Sequence, residues 1–272
     1  MNYNKLALYC KTYNNDFSRL AKLIGSLEDH NKDGIPVYIS CPQSEIPLLK
    51  KEVLDFECTI FADEEIFIPK YQAAGWENQM LVKLNAFDKI PAHNILLLDS
   101  DAFFIDDFYE SDFIAYDNIP YTIMHENIQV AEYETFLKGG DYKKTGYAKA
   151  VKAYRDLFGG KSNRIYDYGP NPHLWNRKVL EHFKSEYLDK YGLTMEDFCF
   201  QMKKQYGIHF RETLTYGEYL LATRVIDIVP CGPLFKCYHW KEMYDFELKN
   251  DMVDMNRIKQ NYLGVVLQSN WL

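Results

Sequence analysis

The feature that most constrains the fold is a regular alternation of strand-like and helix-like patterns over the first hundred residues. Strands alternating with helices form a mainly parallel sheet covered by helices on both faces. The run at Asn94–Leu98 is apolar except for its first residue, as is typical of a central strand covered on both sides. We therefore expect an α/β fold with a doubly wound sheet. The predicted strands are Lys5–Cys10, Val37–Cys41, Cys58–Ala62 and Asn94–Leu98, and the predicted helices are 17–27, Glu45–Leu54 and Glu77–Phe87.

The second half of the chain is more helical and less regular. Two further strands are expected, at Pro120–Met124 and Val225–Val229. No linker rich in Pro, Gly or Ser and no internal repeat interrupts the sequence, so we expect a single domain over 1–272. The helices predicted in this half are Ala148–Phe158, Asn176–Tyr187, Met195–Tyr206 and Glu212–Thr223.

Charge and targeting signals limit the kinds of partner. The net charge of −8, from 31 basic and 39 acidic residues, argues against nucleic acid or an anionic membrane as the main partner. No run approaches the roughly 18 apolar residues of a membrane span, and the first nine residues lack a signal-peptide pattern. The six cysteines include no CxxC pair. These features predict a cytoplasmic protein with no transmembrane segment and at most peripheral membrane association.

The most informative segment is Ile95–Phe104, ILLLDSDAFF, in which an apolar strand ends at two aspartates. In open α/β sheets the ligand crevice lies beyond the carboxyl ends of the strands, which is where Asp99 and Asp101 are expected. Neighbouring carboxylates repel each other unless a cation or water separates them. Mg²⁺ and Mn²⁺ are held by one or two carboxylates together with substrate phosphates. This pattern favours a divalent metal site, and a solvated turn after the strand is the alternative.

Several stretches, this one included, resemble the GT-A glycosyltransferases and, more closely, a family of glycosyltransferases encoded in bacterial capsule and lipopolysaccharide loci. The resemblance implies a Rossmann-like single domain, a nucleoside-diphosphate sugar donor, and Mn²⁺ or Mg²⁺ bridging the two aspartates to the diphosphate. It also implies that His239 completes the metal shell, although a histidine that closes a strand is nearly as good an explanation. The stretches are Tyr9–Asp16, Gly75–Phe87, Ile95–Phe108, Tyr166–Asn176, Arg211–Leu221 and Pro233–Trp240.

By the same resemblance, residues 1–105 bind the nucleotide sugar and residues 106–272 bind the acceptor. Thr12 and Tyr13 follow the first strand, where this fold places the base and ribose, and Asp63 follows the third strand, where it could accept a uracil N–H. Gln79 and Lys83 share one helix face, and a lysine among apolar neighbours suggests contact with the diphosphate. Ordinary turn residues and a lysine that extends to solvent are the alternatives. The predicted donor-binding residues are Thr12, Tyr13, Asp63, Gln79, Lys83 and Ser100.

Catalysis needs a group that activates the acceptor hydroxyl. Transfer passes through an oxocarbenium-like state, and an inverting enzyme uses a carboxylate as general base. Glu212 and Glu218 are the candidates, and Glu212 is preferred because it opens a helix. We expect Glu212 to face the same cleft as Asp101, and Glu218 to face outward or toward Arg224. The alternatives are a carboxylate favoured by the helix dipole and a solvated mid-helix residue.

Tyr168, His173 and Trp175 lie in or beside a Gly-Pro-Asn-Pro turn and are predicted to form walls of the acceptor site. Aromatic residues make up 16% of the chain, and their rings suit the apolar faces of sugars. A rigid surface turn is an equally good explanation of this segment, and the aromatic residues also serve as ordinary core residues. The aromatic content therefore supports a carbohydrate site only weakly.

Other classes of protein fit the sequence less well. A phosphatase of the haloacid dehalogenase type wants a small Thr or Val two residues after the second aspartate, where this chain has Phe103. A nucleotidyltransferase is expected to have a Gly-rich phosphate loop after the first strand, but Lys11–Asp16 contains no Gly. The resemblance accordingly implies a metal-dependent glycosyltransferase that acts on a glycan or lipid-linked acceptor in cell-surface polysaccharide synthesis. A non-catalytic glycan- or nucleotide-binding protein, or a nucleotidyltransferase, is the alternative.

Overall fold

A five-stranded sheet forms the centre of the fold, and it is parallel except at one edge. Strand β1 (Asn4–Lys11) lies between β2 (Val37–Cys41) and β4 (Ala92–Leu98), and it is parallel to both. Strand β3 (Thr59–Ala62) extends the sheet beyond β2, and β8 (His173–Asn176) pairs antiparallel with β4 at the other edge. The predicted α/β fold with a mainly parallel central sheet is confirmed.

The computed structural model describes residues 3–53, 55–71, 75–126, 140–141, 144–169 and 171–268. In these ranges no helix is both long and apolar enough to cross a membrane. The remaining strands are β5 (Ala102–Phe104), β6 (Ile114–Tyr116), β7 (Ile119–Ile123), β9 (Val229–Cys231), β10 (Phe235–Tyr238) and β11 (Gly264–Leu267). The helices are α1 (Phe17–His30), α2 (Ile46–Glu52), α3 (Asp63–Ile66), α4 (Gly75–Asn85), α5 (Gly146–Phe158), α6 (Arg177–His182), α7 (Asp189–Tyr191), α8 (Met195–Tyr206), α9 (Glu212–Thr223), α10 (Lys241–Lys249) and α11 (Met255–Ile258).

Apolar side chains on both faces of the central strands explain why helices cover the sheet on both sides. In β1, Leu6 and Leu8 belong to the core that includes α1 and α2, whereas Ala7 and Tyr9 belong to the core that includes α4 and α9. This division follows from the alternation of side chains along a strand. Each fully buried Leu contributes roughly 1.5–3 kcal/mol, so a strand that is apolar on both faces is stable only between two layers.

The DSD triplet connects two sheets. Strand β4 ends at Leu98 in the central sheet, and β5 begins at Ala102 in a second sheet of order β10-β11-β5. The Ala102 N–H donates to the carbonyl of Asp99 at 3.1 Å, and the Leu267 N–H donates to the carbonyl of Asp101 at 3.1 Å. The triplet is thereby held at the carboxyl edge of the parallel strands.

Some predicted elements differ from the structure. Val225–Val229 is not a strand, because α9 ends at Arg224 in a left-handed conformation (φ 53°) and β9 begins only at Val229. Asn176 ends β8 and caps α6 by accepting a hydrogen bond from the Lys178 N–H, so the predicted helix starts one residue later. That helix continues through a π-helical segment, Phe183–Leu188. Leu54, the end of another predicted helix, lies outside the described residues.

Candidate active site

Three charged side chains from separate elements meet at the carboxyl edge of the sheet. Lys83 projects from α4, Asp99 follows β4, and Glu212 is the first residue of α9. The Lys83 ammonium donates a hydrogen bond to Asp99 Oδ1 at 2.6 Å and lies 3.9 Å from Glu212 Oε1. Its side chain is only 4% exposed, against 32% for Asp99 and 13% for Glu212. Lys83 is therefore a buried cation between two carboxylates and does not extend to solvent.

Burial and charge give these three groups different pKa values. Burial by itself would raise the pKa of Asp99, but the Lys83 ammonium holds it below its ordinary value. Burial would lower the pKa of Lys83, but Asp99 and Glu212 keep it above its ordinary value. For Glu212 burial prevails, so its pKa is raised despite the attraction of Lys83. At neutral pH, Lys83 and Asp99 therefore form an ion pair. Of the two carboxylates, Glu212 binds a proton more readily than Asp99 does.

The larger of two adjoining cavities opens beside this charged group and has a volume of about 750 Å³. Aromatic rings, imidazoles and charged side chains line it together. Trp76 packs edge-to-face on His209 with ring centroids 5.4 Å apart, and the Arg211 guanidinium lies 5.7 Å from the centre of the Tyr147 ring. Such a lining combines apolar faces with hydrogen-bonding groups. The lining residues used below are Trp76, Asp99, Tyr147, Asp167, His173, Arg211, Glu212, His239 and Trp240.

The second cavity, of about 730 Å³, lies at the ends of β1, β2 and β3. It is lined by the predicted donor residues Tyr13, Asp63 and Gln79, and also by Lys11. Asp63 is held in place because Ser40 Oγ donates to its Oδ1 at 2.7 Å and the Lys11 ammonium lies 3.1 Å from its Oδ2. Burial raises the pKa of Asp63, although Lys11 and the Ser40 hydrogen bond oppose the rise. Both Asp63 oxygens therefore already have protein partners.

Trp76 lines both cavities, so they share one wall. Thr12 was also predicted to contact the nucleoside. It is completely buried, and within the described residues its hydroxyl has no hydrogen-bond partner. Tyr13, by contrast, is 39% exposed. The structure thus brings Tyr13, Asp63 and Gln79 to one cavity, whereas Thr12 is buried and does not line it.

The predicted metal ligands do not form one compact group. Asp99 and His239 line the larger cavity, whereas Asp101 and Ser100 border a separate cavity of about 200 Å³. Among the described residues, no three His, Cys, Asp or Glu side chains come together closely enough to hold a metal ion. The expectation that Glu212 shares a cleft with Asp101 is therefore wrong, because Glu212 lines the larger cavity with Asp99.

The three predicted ligands nevertheless suit a metal ion that is also held by phosphate oxygens of the substrate. Asp99 and Asp101 are oxygen donors two residues apart, and the His239 imidazole faces the same cavity as Asp99. Burial lowers the pKa of His239, which keeps its ring neutral and able to donate a lone pair. Mg²⁺ in particular takes only one or two carboxylates when phosphate oxygens supply other positions. The protein therefore does not need to supply most of the ligands of such an ion.

Glu218 lies in the core, which contradicts the expectation that it faces outward or toward Arg224. Its side chain is 1% exposed and accepts hydrogen bonds from Arg155 Nε at 2.8 Å and Arg155 Nη2 at 2.6 Å. The Tyr168 hydroxyl donates to the same carboxylate at 2.8 Å. With these partners Glu218 is a structural residue on the face of α9 that packs against α5, away from either large cavity.

The predicted acceptor walls are mostly internal. Tyr168 is 5% exposed and packs on the backbone of Gly217, where an added Cβ would lie 2.3 Å from its ring. Trp175 is 2% exposed and stacks on Tyr216 with ring centroids 5.5 Å apart. Only His173 lines the larger cavity. Strand β8 begins at His173, directly after the Gly-Pro-Asn-Pro segment, and Pro170 lies outside the described residues.

Sequence reasoning missed several residues that line the two cavities. Lys11 is the last residue of β1 and forms an ion pair with Asp63. The only sequence signal for this role was its position at the end of a predicted strand. Trp76 and Asp167 lie within stretches that carried the resemblance, but without a signal for a particular role. Trp240 follows His239 directly, so the same position after β10 could have indicated both.

Two solved glycosyltransferase structures share this fold. Mouse xyloside xylosyltransferase 1, in its apo form, has a TM-score of 0.53 and 11% identity over 97% of this chain and 98% of that chain. The galactosyltransferase LgtC, solved with donor and acceptor sugar analogs, has a TM-score of 0.51 and 12% identity over 96% of this chain and 86% of that chain. This chain therefore has the α/β fold of GT-A glycosyltransferases.

The family follows from a separate comparison. Residues 5–243 match a family of unknown function, DUF6492, and the chain belongs to that family. No curated protein sequence matches the chain. The family assignment adds no activity.

Proposed function

We propose that this protein is a metal-dependent glycosyltransferase that moves a sugar from a nucleoside-diphosphate sugar to a glycan or lipid-linked acceptor. The observation that supports it best is the pair of adjoining cavities, of about 750 and 730 Å³, at the carboxyl edge of the parallel strands. A transferase must hold two substrates side by side, and ligands of open α/β sheets bind at this edge. Trp76 lines both cavities, so the two substrates would meet there.

The smaller of these two cavities suits the nucleoside, and residues 1–105 supply most of its lining. Tyr13 offers a half-exposed ring for stacking, and Gln79 offers an amide. Lys83 lies on the same helix as Gln79, one turn further on, and is the cation nearest to Asp99 in the described part of the chain. We assign Lys83 to the donor diphosphate. Its side chain lines neither cavity, so it would attract the diphosphate through its charge from beside Asp99.

Asp99 and His239, which line the larger cavity together, are the residues that would hold Mn²⁺ or Mg²⁺, and Asp101 is the second carboxylate of the proposed set although it borders a separate cavity. Positive charge for the departing diphosphate is the chemistry that such an ion would supply when bound. The chain's own contribution is to keep the Asp99 carboxylate ionised through Lys83, which opposes the effect of burial on its pKa. The backbone of Asp101, which carries the second carboxylate, is held next to the second sheet because the Leu267 N–H donates to the Asp101 carbonyl.

Glu212 is the residue we assign to the acceptor hydroxyl. It lines the same cavity as Asp99, and burial raises its pKa toward the range that suits proton transfer. Its carboxylate would accept the hydroxyl proton as the acceptor oxygen attacks the sugar. Glu218 cannot take this role, since Arg155 and Tyr168 enclose it.

The remaining lining of the larger cavity suits a sugar acceptor. Tyr147 and Trp240 present aromatic rings, and Asp167 and Arg211 present groups that bond hydroxyls. Residues 106–272 supply most of this cavity, as expected of an acceptor-binding half. A role in cell-surface polysaccharide synthesis is part of the same proposal and rests on the resemblance of the sequence alone.

A thermal-shift screen of nucleotides and nucleotide sugars, with and without Mn²⁺, tests the proposal. A ligand that binds only the folded state raises the melting temperature by mass action. We expect one class of nucleotide sugar to stabilise the protein, and to do so more strongly with Mn²⁺. Its slow hydrolysis to free sugar and nucleoside diphosphate should follow. Stabilisation without any hydrolysis or transfer would favour a non-catalytic binding protein, and no stabilisation by any nucleotide would reject the proposal.

A further inference from the structure

The Lys83 ammonium lies beside Asp99, the carboxylate that we assign to the metal ion. The ammonium lies 2.6 Å from Asp99 Oδ1, and within the described residues no other cationic side chain pairs with Asp99. We propose that Lys83 makes binding of the divalent metal depend on the nucleoside diphosphate, so that the metal enters with the donor and binds poorly alone. This inference rests on the proposed function, because it assumes that Asp99 is a metal ligand.

The ammonium cannot easily leave its position. Helix α4 is anchored by Met80, Leu81 and Leu84, which are all buried in the core. The Lys83 side chain itself is 4% exposed, so it has no direct path to solvent. Its second partner, Glu212 at 3.9 Å, holds it from the other side. A metal that reaches Asp99 must therefore bind next to a fixed positive charge.

Electrostatics then decides the order of binding. Two cations in a partly buried site repel each other more strongly than in water, because the surroundings screen them less. A diphosphate adds negative charge that attracts both the ammonium and the metal. The metal should consequently bind more tightly once the diphosphate is present. By thermodynamic linkage, the metal must tighten binding of the diphosphate by the same factor.

Among the other charged groups, the Asp167 carboxylate lines the same cavity as Asp99 and Asp101 lies two residues further on, and both attract a cation equally in wild type and in Lys83→Met. His173 lines the same cavity, but burial lowers its pKa to about 4, so it is neutral at pH 7. Glu212 is the other carboxylate paired with Lys83, and at 3.9 Å it is the more distant partner. Arg211 is exposed, and it adds further positive charge to the cavity. Lys83 is thus the cation whose removal should change metal affinity most.

The test is calorimetric titration of Mn²⁺ into wild type and Lys83→Met, first alone and then with uridine or guanosine diphosphate. For wild type we expect the diphosphate to tighten Mn²⁺ binding by about tenfold or more, the scale of one charge-assisted interaction. Lys83→Met should bind Mn²⁺ alone about tenfold more tightly than wild type, and bind the diphosphate more weakly. Lys83→Arg, which keeps the charge, should behave as wild type does.

Lys203→Met is the matched control, because Lys203 also pairs with a buried carboxylate, that of Glu77 at 3.5 Å, but within the described residues it pairs with neither Asp99 nor Glu212. It should leave Mn²⁺ affinity unchanged. Unchanged Mn²⁺ affinity in Lys83→Met would overturn the inference while leaving the proposed function intact. If Lys83→Met does not fold, equal Mn²⁺ affinity of wild type with and without the diphosphate would overturn it instead. Failure of the proposed function is distinguishable, since wild type would then bind no nucleotide in the presence of Mn²⁺.

Discussion

Replacing Glu218 by Gln should unfold this protein far more easily, although the change removes one charge and hardly alters the side-chain shape. Glu218 accepts three hydrogen bonds in the core, two from Arg155 and one from Tyr168. Arg155 in turn donates to the carbonyls of Ser162 and Arg164 at 2.7 and 2.6 Å, so it also holds the segment leading to Tyr168. In the variant, an amide N–H₂ group must face the N–H groups of Arg155, which still carries its charge.

The magnitude follows from the burial of the pair. Glu218 is 1% exposed and Arg155 is 8% exposed, so solvent cannot replace the lost interaction. Breaking a buried pair by changing one partner costs about 3–5 kcal/mol. Each kcal/mol lowers the melting temperature of a domain of this size by roughly 2–4 °C. We therefore expect Glu218→Gln to melt about 6–20 °C below wild type.

The assay is thermal and urea denaturation of Glu218→Gln beside Glu212→Gln, which is the same substitution six residues earlier in α9. Within the described residues Glu212 accepts no comparable set of side-chain hydrogen bonds, and burial raises its pKa, so neutralising it should change the melting temperature by only a few degrees. A melting temperature for Glu218→Gln within about 2 °C of wild type would refute the reasoning, since that corresponds to less than about 1 kcal/mol.

The other predictions concern the site itself. Asp99→Asn and Asp101→Asn should each fold but lose Mn²⁺-dependent binding of nucleotide sugar in calorimetry, and full retention of binding in both would reject the metal site. Glu212→Gln should bind donor normally and lower turnover by about 10²–10⁴-fold in a transfer assay, and near-normal turnover would end its assignment as the base. His173 has a pKa of about 4, below its ordinary value, so the unfolded chain takes up the proton first as pH falls. The free energy of unfolding, measured in urea, should therefore fall by about 2 kcal/mol from this group between pH 7 and pH 5, and His173→Gln should lack this share.

Local pattern was enough to place the central strand and the DSD triplet. Asn94–Leu98 is a nearly continuous apolar run, and side chains that must be buried on both faces leave it only a central position in a sheet. Once that strand is central and parallel to β1, the residues that follow it must emerge at the carboxyl edge. The start of α9 at Glu212 was predictable for a similar reason, because the apolar period of a helix is a property of neighbouring residues.

The burial of the Glu218 side chain depends on contacts with distant residues, which no local sequence pattern reveals. Its position in the middle of α9 is equally compatible with solvent, with a cavity and with the core. What decides is Arg155, 63 residues earlier in the chain, which arrives on α5 and pairs with it. Trp175 is a similar case, since its ring is buried only because β8 adds to the edge of β4 and Tyr216 covers it.

By itself the sequence determined the alternation of strands and helices, the parallel sheet and the edge at which Asp99 and Asp101 emerge, because each depends on the period of apolar side chains along a short segment. Only the tertiary structure decided that Lys83 pairs with Asp99, that Glu212 faces Asp99 rather than Asp101, and that Glu218 is enclosed. These outcomes depend on which side chains from distant segments share a low-dielectric space, where an unpaired charge is costly and each charged group is stable only beside its partner. The pairing of charges across the fold therefore separates the candidate catalytic carboxylate from the structural one.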